Sequence, residues 1–346
     1  MNMMAKIVEQ SELCRQARIA RELGSPFVAA VLEAGDRQLR KAPRTADLFA
    51  NWPSDPSAAA LAMRFNGALH ALARRGMPPA LKALYRREHD DYDGAIGAAL
   101  AAEDAFIADW MGHPPQTNEV GRAAAIGAAL MVARRKFGLP FELFELGSSC
   151  GLNLNLARYA YDLGGMSAGS LDSPVRIAPD WRGSRPASAP IDVVAARGVD
   201  LKPLDAGDEK TRERLLSFVW ADQPKRARRL QYALALARRF PPQIDRADAA
   251  SWLTERLDSP QQAGLCRVVF HSMVLQYLTE EDRLTVVDGI ARAGARATLD
   301  RPLAWIGFEW TSQRSEVRLS LTCWPTGETK VLALCHPYGE WIDWRG

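Results

Sequence analysis

FELFELGSSCGLNLNL, residues Phe141 to Leu156, decides how the rest of the chain is read. Apolar residues interleaved with glutamates run into Gly147-Ser148-Ser149-Cys150-Gly151, and an amphipathic segment follows at once. The pattern reads as a strand, a tight turn and the start of a helix, and ligands sit at such turns. Two chemistries fit it. A glycine-rich loop brings backbone close to a nucleotide-like cofactor, whereas G-x-S-x-G is a nucleophile elbow presenting Ser149.

Outward from this turn, the 346 residues, 47% hydrophobic and 25% charged, suit a soluble globular protein of two domains or one large one. The 44 basic and 41 acidic residues are spread along the chain, so composition gives no strong nucleic-acid signal. Lys225 to Leu230, KRARRL, is read as a solvated helix face rather than a polyanion site. The N-terminal MNMMAKIVEQSELCRQ has no apolar core of signal-peptide length, and Ala123 to Ala133 is too short to span a bilayer, so it is read as a buried helix. Cysteines at 14, 150, 266, 323 and 335 are scattered without a C-x-x-C pair, which signals neither a disulfide framework nor a structural zinc site. A reducing cytoplasm fits these features.

Up to about Gly138 the chain has helical spacing broken at Gly24-Ser25-Pro26, Trp52-Pro53, Gly76-Met77-Pro78-Pro79 and His113-Pro114-Pro115, which predicts a helical region of about six helices over 1–138. From 139 to 346 strand-like runs recur: FELFEL, IDVVAARGVD, QIDRADA, RVVFHSMVL, PLAWIGFEW, VRLSLTCW and KVLALCHP. Helical stretches separate most of these seven, so a mainly parallel sheet is expected. The last two, joined by Pro-Thr-Gly-Glu-Thr, form an antiparallel hairpin. Gly164 to Pro190, rich in Gly, Ser and Pro, is read as a lid insertion, with Trp181 placed near a ligand.

Ligands of open α/β sheets bind outside the carboxyl ends of the strands, where this chain has Glu145, Asp200, Asp248, His271 with Ser272, and Glu309. Gly147 and Gly151 allow close backbone approach, Asp200 can accept from ribose hydroxyls, and Asp248-Ala249 can reach an adenine edge. Ser149 and Asn153, in the turn and just beyond it, complete the candidate contacts. Asp248 equally suits the N-cap of AASWLTERL. His271, with an unperturbed pKa near 6.5, is the candidate base. Arg87 to Asp93, REHDDYD, is read as a solvated loop rather than a metal site.

E-L-G-S-S-C-G, Glu145 to Gly151, resembles the first motif of class I S-adenosylmethionine-dependent methyltransferases. More closely, ELGSSCGLNLNLARYAYDLGG, RGVDLKP, VWADQPKRARRL and VVFHSMVLQYL resemble an uncharacterised bacterial family known only as a domain of unknown function. The resemblance spans about Phe141 to Trp310. It implies a Rossmann-like methyltransferase fold, S-adenosylmethionine as cofactor and methyl transfer to an unidentified acceptor, for which the spread of charge favours a small molecule. The family motif carries a second glycine where this chain has Ser149. No aromatic-proline tetrapeptide follows Val269, where His271-Ser272-Met273-Val274 stands. Two alternatives remain open. One is a relative without catalysis that binds an adenosyl ligand or a protein. The other is a hydrolase using Ser149 with Asp300 and His336, against which no HGGG-type segment precedes the elbow. Cys150 as nucleophile is the weakest reading.

Overall fold

The structure, a computed structural model, describes residues 11–116 and 118–346. The reading of residues 1–10 as lacking a signal peptide lies outside them. Two compact units divide the chain: residues 1–117 with 209–228, and 118–208 with 229–346.

The first unit is helical: α1 (Glu12–Glu22), α2 (Pro26–Gln38), α3 (Pro43–Ala50), α4 (Leu61–Arg75), α5 (Pro79–Tyr85) and α6 (Tyr92–Met111). Its punctuation follows from capping chemistry. Pro26, Pro43 and Pro79 open helices at positions whose N–H has no intrahelical partner, and Gly76 closes α4 with φ 82°. Leu13, Phe27, Leu32, Phe65, Leu69 and Ile96 fill its core. The REHDDYD segment is used structurally: Asp91 caps α6 through Gly94 N (2.8 Å), Asp93 pairs with Arg37 (2.8 Å), and His89 bonds Ala80 O (3.0 Å). Among the described residues no cluster of three or more His, Cys, Asp and Glu could hold a metal ion.

The predicted boundary at 138 differs from the observed division. The next helix, α7 (Ala123–Phe137), packs on strands of the sheet, so it belongs to the second unit and the helices before Gly138 number seven among the described residues. Conversely α8 (Glu209–Ser217) packs on α4, with Arg74 meeting Glu213 at 3.0 Å, and returns to the first unit. The unit boundary then falls inside α9 (Pro224–Arg239).

The second unit is a mixed α/β structure. Its strands are β1 (Phe141–Leu146), β2 (Ala160–Asp162), β3 (Ser167–Gly169), β4 (Arg176–Ile177), β5 (Asp180–Gly183), β6 (Val193–Asp200), β7 (Gln243–Arg246), β8 (Cys266–Ser272), β9 (Leu303–Trp310), β10 (Val317–Trp324), β11 (Glu328–Cys335) and β12 (Trp341–Trp344). Nine form one sheet in the order β5-β12-β11-β10-β9-β8-β1-β6-β7, rather than the expected seven. All seven predicted runs are strands in it. β7, β6, β1, β8 and β9 are parallel neighbours, and the winding reverses between β1 and β8. β9 to β12 run as an antiparallel meander, so the predicted terminal hairpin is its middle pair. Two helices, α10 (Ala249–Asp258) and α11 (Glu280–Ala295), share a core with Phe144, Leu146, Val199, Val269 and Leu303.

The expected lid at 164–190 contains short strands. β2, β3 and β4 make a small sheet within this stretch and its flank, and β5 pairs in parallel with β12. Trp181 lies against Trp344 at 5.4 Å and donates to Ser184 O (2.9 Å), so its ring closes an edge of the sheet instead of facing a ligand. Short strands at 167–169, 176–177 and 180–183 thus punctuate a segment whose remainder, including 185–190, is loop.

Candidate functional site

The turn Gly147–Gly151 follows β1 and meets the end of β6, the loop after β8 and the start of β7. Gly147, Ser149 and Gly151 all have positive φ, at 65°, 52° and 65°. Serine occupies left-handed space that favours glycine, which explains why a glycine is expected there. The turn's backbone donors are spent internally: Ser148 N on Val199 O (3.0 Å), Ser149 N on Asp200 Oδ2 (2.8 Å), Cys150 N on Asn118 Oδ1 (3.1 Å) and Gly151 N on Ser148 O (2.7 Å). The space a Cβ would take is also filled, by Val274 at Gly147 (2.6 Å) and by Pro242 and Ile244 at Gly151 (2.7 and 2.8 Å). Both glycines therefore admit neighbouring protein side chains.

Asp200, at the end of β6, uses one oxygen for Ser149 N and the other for Lys202 N (2.8 Å). A carboxylate offers about four lone-pair sites, so acceptor capacity remains. Asp248 caps α10 by accepting from Ala250 N (3.0 Å) and Ser251 N (2.9 Å), while Ala249 is the first residue of that helix. Sequence admitted both a cap and a ligand contact for Asp248, and the cap is present.

Glu145, the last glutamate of β1, is only 4% exposed. Burial pushes its carboxyl up to about 8, with the neighbouring Asp200 charge adding to the rise and Ser148 and Asn153 opposing it. At neutral pH Glu145 holds a proton. Its Oε2 and the Oδ1 of Asn153, both buried, lack hydrogen-bond partners among the described residues. A protonated carboxyl is a donor, which is what an orphaned amide oxygen beside it lacks.

His271, the expected base, is held on both sides of its ring. It is 1% exposed, its Nδ1 lies 2.7 Å from Glu309 Oε1, and its Nε2 accepts from Trp305 Nε1 (2.8 Å). Because the indole can only donate, Nε2 is the acceptor and Nδ1 carries the proton toward Glu309. The same Glu309 oxygen accepts from Val274 N (2.9 Å). Both ring nitrogens are thus engaged, and the imidazole and Glu309 together tie down the loop after β8. Sequence placed His271 and Glu309 at the right strand ends. It missed Trp305, whose place in an apolar run hid the polar end of its ring.

Nor does a hydrolase triad assemble. Ser149 Oγ accepts from Asn118 Nδ2 (2.6 Å). Asp300 lies before β9, at the opposite end of the sheet, bonded to Thr298 (2.6 Å) and Arg301 (2.9 Å), and His336 follows β11 facing Glu340 at 3.8 Å. Cys150 is fully buried with its thiol pushed up to about 12 by burial, so it is no thiolate at neutral pH.

Asn118 was missed by sequence reasoning. It opens a segment, 118–122, in which Glu119 pairs with Arg229 (3.0 Å) and Arg122, largely buried, donates to Ser272 O (3.1 Å) and Pro337 O (2.9 Å). The signal was present: three polar residues immediately before the apolar run of α7 have no reason to be buried unless they brace something. Arg229 pairing and the burial of Arg226 also mean that only part of KRARRL is a solvated face.

Among the described residues no helix is long and apolar enough to cross a membrane. Neither the curated proteins nor the solved structures contain a match to this chain. The model of one family, described as uncharacterized protein conserved in bacteria (DUF2332), matches residues 10–344. With nearly its whole length covered, the chain belongs to that bacterial family.

Proposed function

We propose that the second unit is a Rossmann-like methyltransferase fold whose turn at Gly147–Gly151 binds S-adenosylmethionine, and that the protein methylates a small-molecule acceptor. The observation carrying this reading is chemical: at the point where the winding reverses, the four N–H groups from Ser148 to Gly151 are bonded within the protein while Asp200 keeps acceptor capacity. Phosphates are held by free N–H groups at such turns, and here all four from Ser148 to Gly151 are used internally. An adenosyl ligand without phosphates suits this better than a dinucleotide. Asp200 has acceptor capacity for ribose hydroxyls.

Bound S-adenosylmethionine supplies an electrophilic methyl on a sulfonium that is its own leaving group. What the chain adds is alignment. With His271 held between Trp305 and Glu309, the acceptor's attacking atom must carry a lone pair at neutral pH without help from that imidazole. The same locked histidine favours a second reading, a non-catalytic adenosyl binder, and turnover of methyl-labelled cofactor separates the two.

Thermal unfolding with added ligands tests the binding claim. S-adenosylmethionine and S-adenosylhomocysteine should raise Tm, while NAD and ATP at equal concentration should not. A rise with ATP or NAD and none with either adenosyl compound contradicts the proposal.

A further inference from the structure

At the amino end of the same sheet, β6 is left partly unpaired. β1 covers one side of it from Val193 onward, but β7 joins the other side only at Arg197, opposite Gln243. The reason is local: Pro241 and Pro242 precede Gln243 and have no N–H with which to extend the ladder. Residues 193–196, Val-Val-Ala-Ala, therefore present one bare backbone edge, and Val194 is 59% exposed. This edge lines a cavity of about 960 Å³.

Five arginines line that cavity, and acids answer three of them. Glu142 is held by Arg267 (2.7 Å) and Asp192 by Arg134 (3.0 Å), while Arg197 and Arg256 share Asp245 (2.7 and 3.2 Å). Arg158 and Arg239 have no acidic partner among the described residues. Their guanidinium carbons lie 3.9 and 5.3 Å from the Phe240 ring centre, which holds both charges beside the open edge.

We propose that this amino-end edge docks an extended acidic peptide of a partner protein by strand addition to residues 193–196, with carboxylates on Arg158 and Arg239. A bare β edge is completed by another backbone, which supplies affinity, while flanking side chains select sequence. A second copy of this chain would bring two sets of uncompensated arginines together, and nucleic acid has no amide ladder to offer. The site is separate from the glycine turn and does not rest on the adenosyl reading.

The test uses fluorescence anisotropy of the full chain with a labelled (Val-Glu)4 peptide, the same peptide N-methylated at alternate residues, and a labelled dT oligonucleotide. Saturable binding of the plain peptide is expected. N-methylation, which removes backbone donors, should weaken it at least tenfold, as should R158E and R239E, with unfolding midpoints confirming intact folding. Absence of saturable binding overturns the proposal, leaving the arginines as guards of an idle edge. So does equal affinity for the N-methylated peptide, or tighter binding of dT, since either outcome shows a site for charge alone.

Discussion

The two ends of the parallel sheet solve opposite problems. At the carboxyl end nearly every polar group is answered from within the unit: Asp200 and Asn118 hold the turn, and Trp305 and Glu309 hold His271. At the amino end β6 stops short of its neighbour and two arginines stand without acidic partners among the described residues. The first is a rigid, acceptor-rich place suited to a small ligand in one pose. The second is an open, cationic edge suited to a chain that brings its own hydrogen bonds. A closed end should respond to mutation through stability, and an open end through binding.

The largest effect should come from His271→Ala, which strands the Trp305 N–H and a part-buried Glu309 carboxylate. Breaking such a network costs about 3 kcal/mol or more, read from urea unfolding midpoints. A change within the scatter of surface substitutions would mean that the carboxyl end is not braced through this ring.

Next, Gly151→Ala adds a Cβ 2.7 Å from Pro242 at a φ of 65°. Overpacking and left-handed backbone together should destabilise by roughly 2–4 kcal/mol. Tolerance of alanine would show that Pro242 yields and the turn is looser than described.

Glu145→Gln sharpens the comparison through pH. Because the folded-state pKa, about 8, lies above the ordinary carboxyl value, the unfolded chain releases this proton first. Glu145 therefore lowers stability progressively as pH rises from about 4.5 to 8, with little further change above. Glutamine cannot ionise, so the variant should gain roughly 3–4 kcal/mol over wild type between pH 5 and 8. Parallel stability profiles for the two proteins would contradict a buried, protonated Glu145.

The smallest effect separates strain from bonding at Ser149. Ser149→Ala keeps the positive φ and loses the Asn118 bond, costing about 1 kcal/mol, whereas Ser149→Gly loses the bond but relieves the backbone and should be near neutral. Equal losses in both would remove strain from the account.

How much of this was legible follows from which signals are local. The strands were readable because FELFEL, RVVFHS and PLAWIGFEW are apolar enough for burial on both faces, and the turn because Gly147 and Gly151 demand positive φ. β5 and β12 escaped notice because WRG and WIDW are too short to show alternation and pair only through tertiary proximity. His271 was placed at the right strand end, but the partners of its ring were not legible, since Trp305 and Glu309 lie more than thirty residues away. Likewise the lid reading rested on composition, which cannot tell a mobile loop from a small sheet rich in glycine.

The proposal that the carboxyl end binds an adenosyl ligand is tested most directly by calorimetric titration of wild type, Asp200→Ala and R158E with S-adenosylhomocysteine. A single site is expected in wild type, weakened roughly ten- to a hundred-fold in Asp200→Ala through the lost charged hydrogen bonds and unchanged in R158E. No heat in any protein, or loss of binding in R158E with Asp200→Ala unaffected, would contradict the assignment of the carboxyl end.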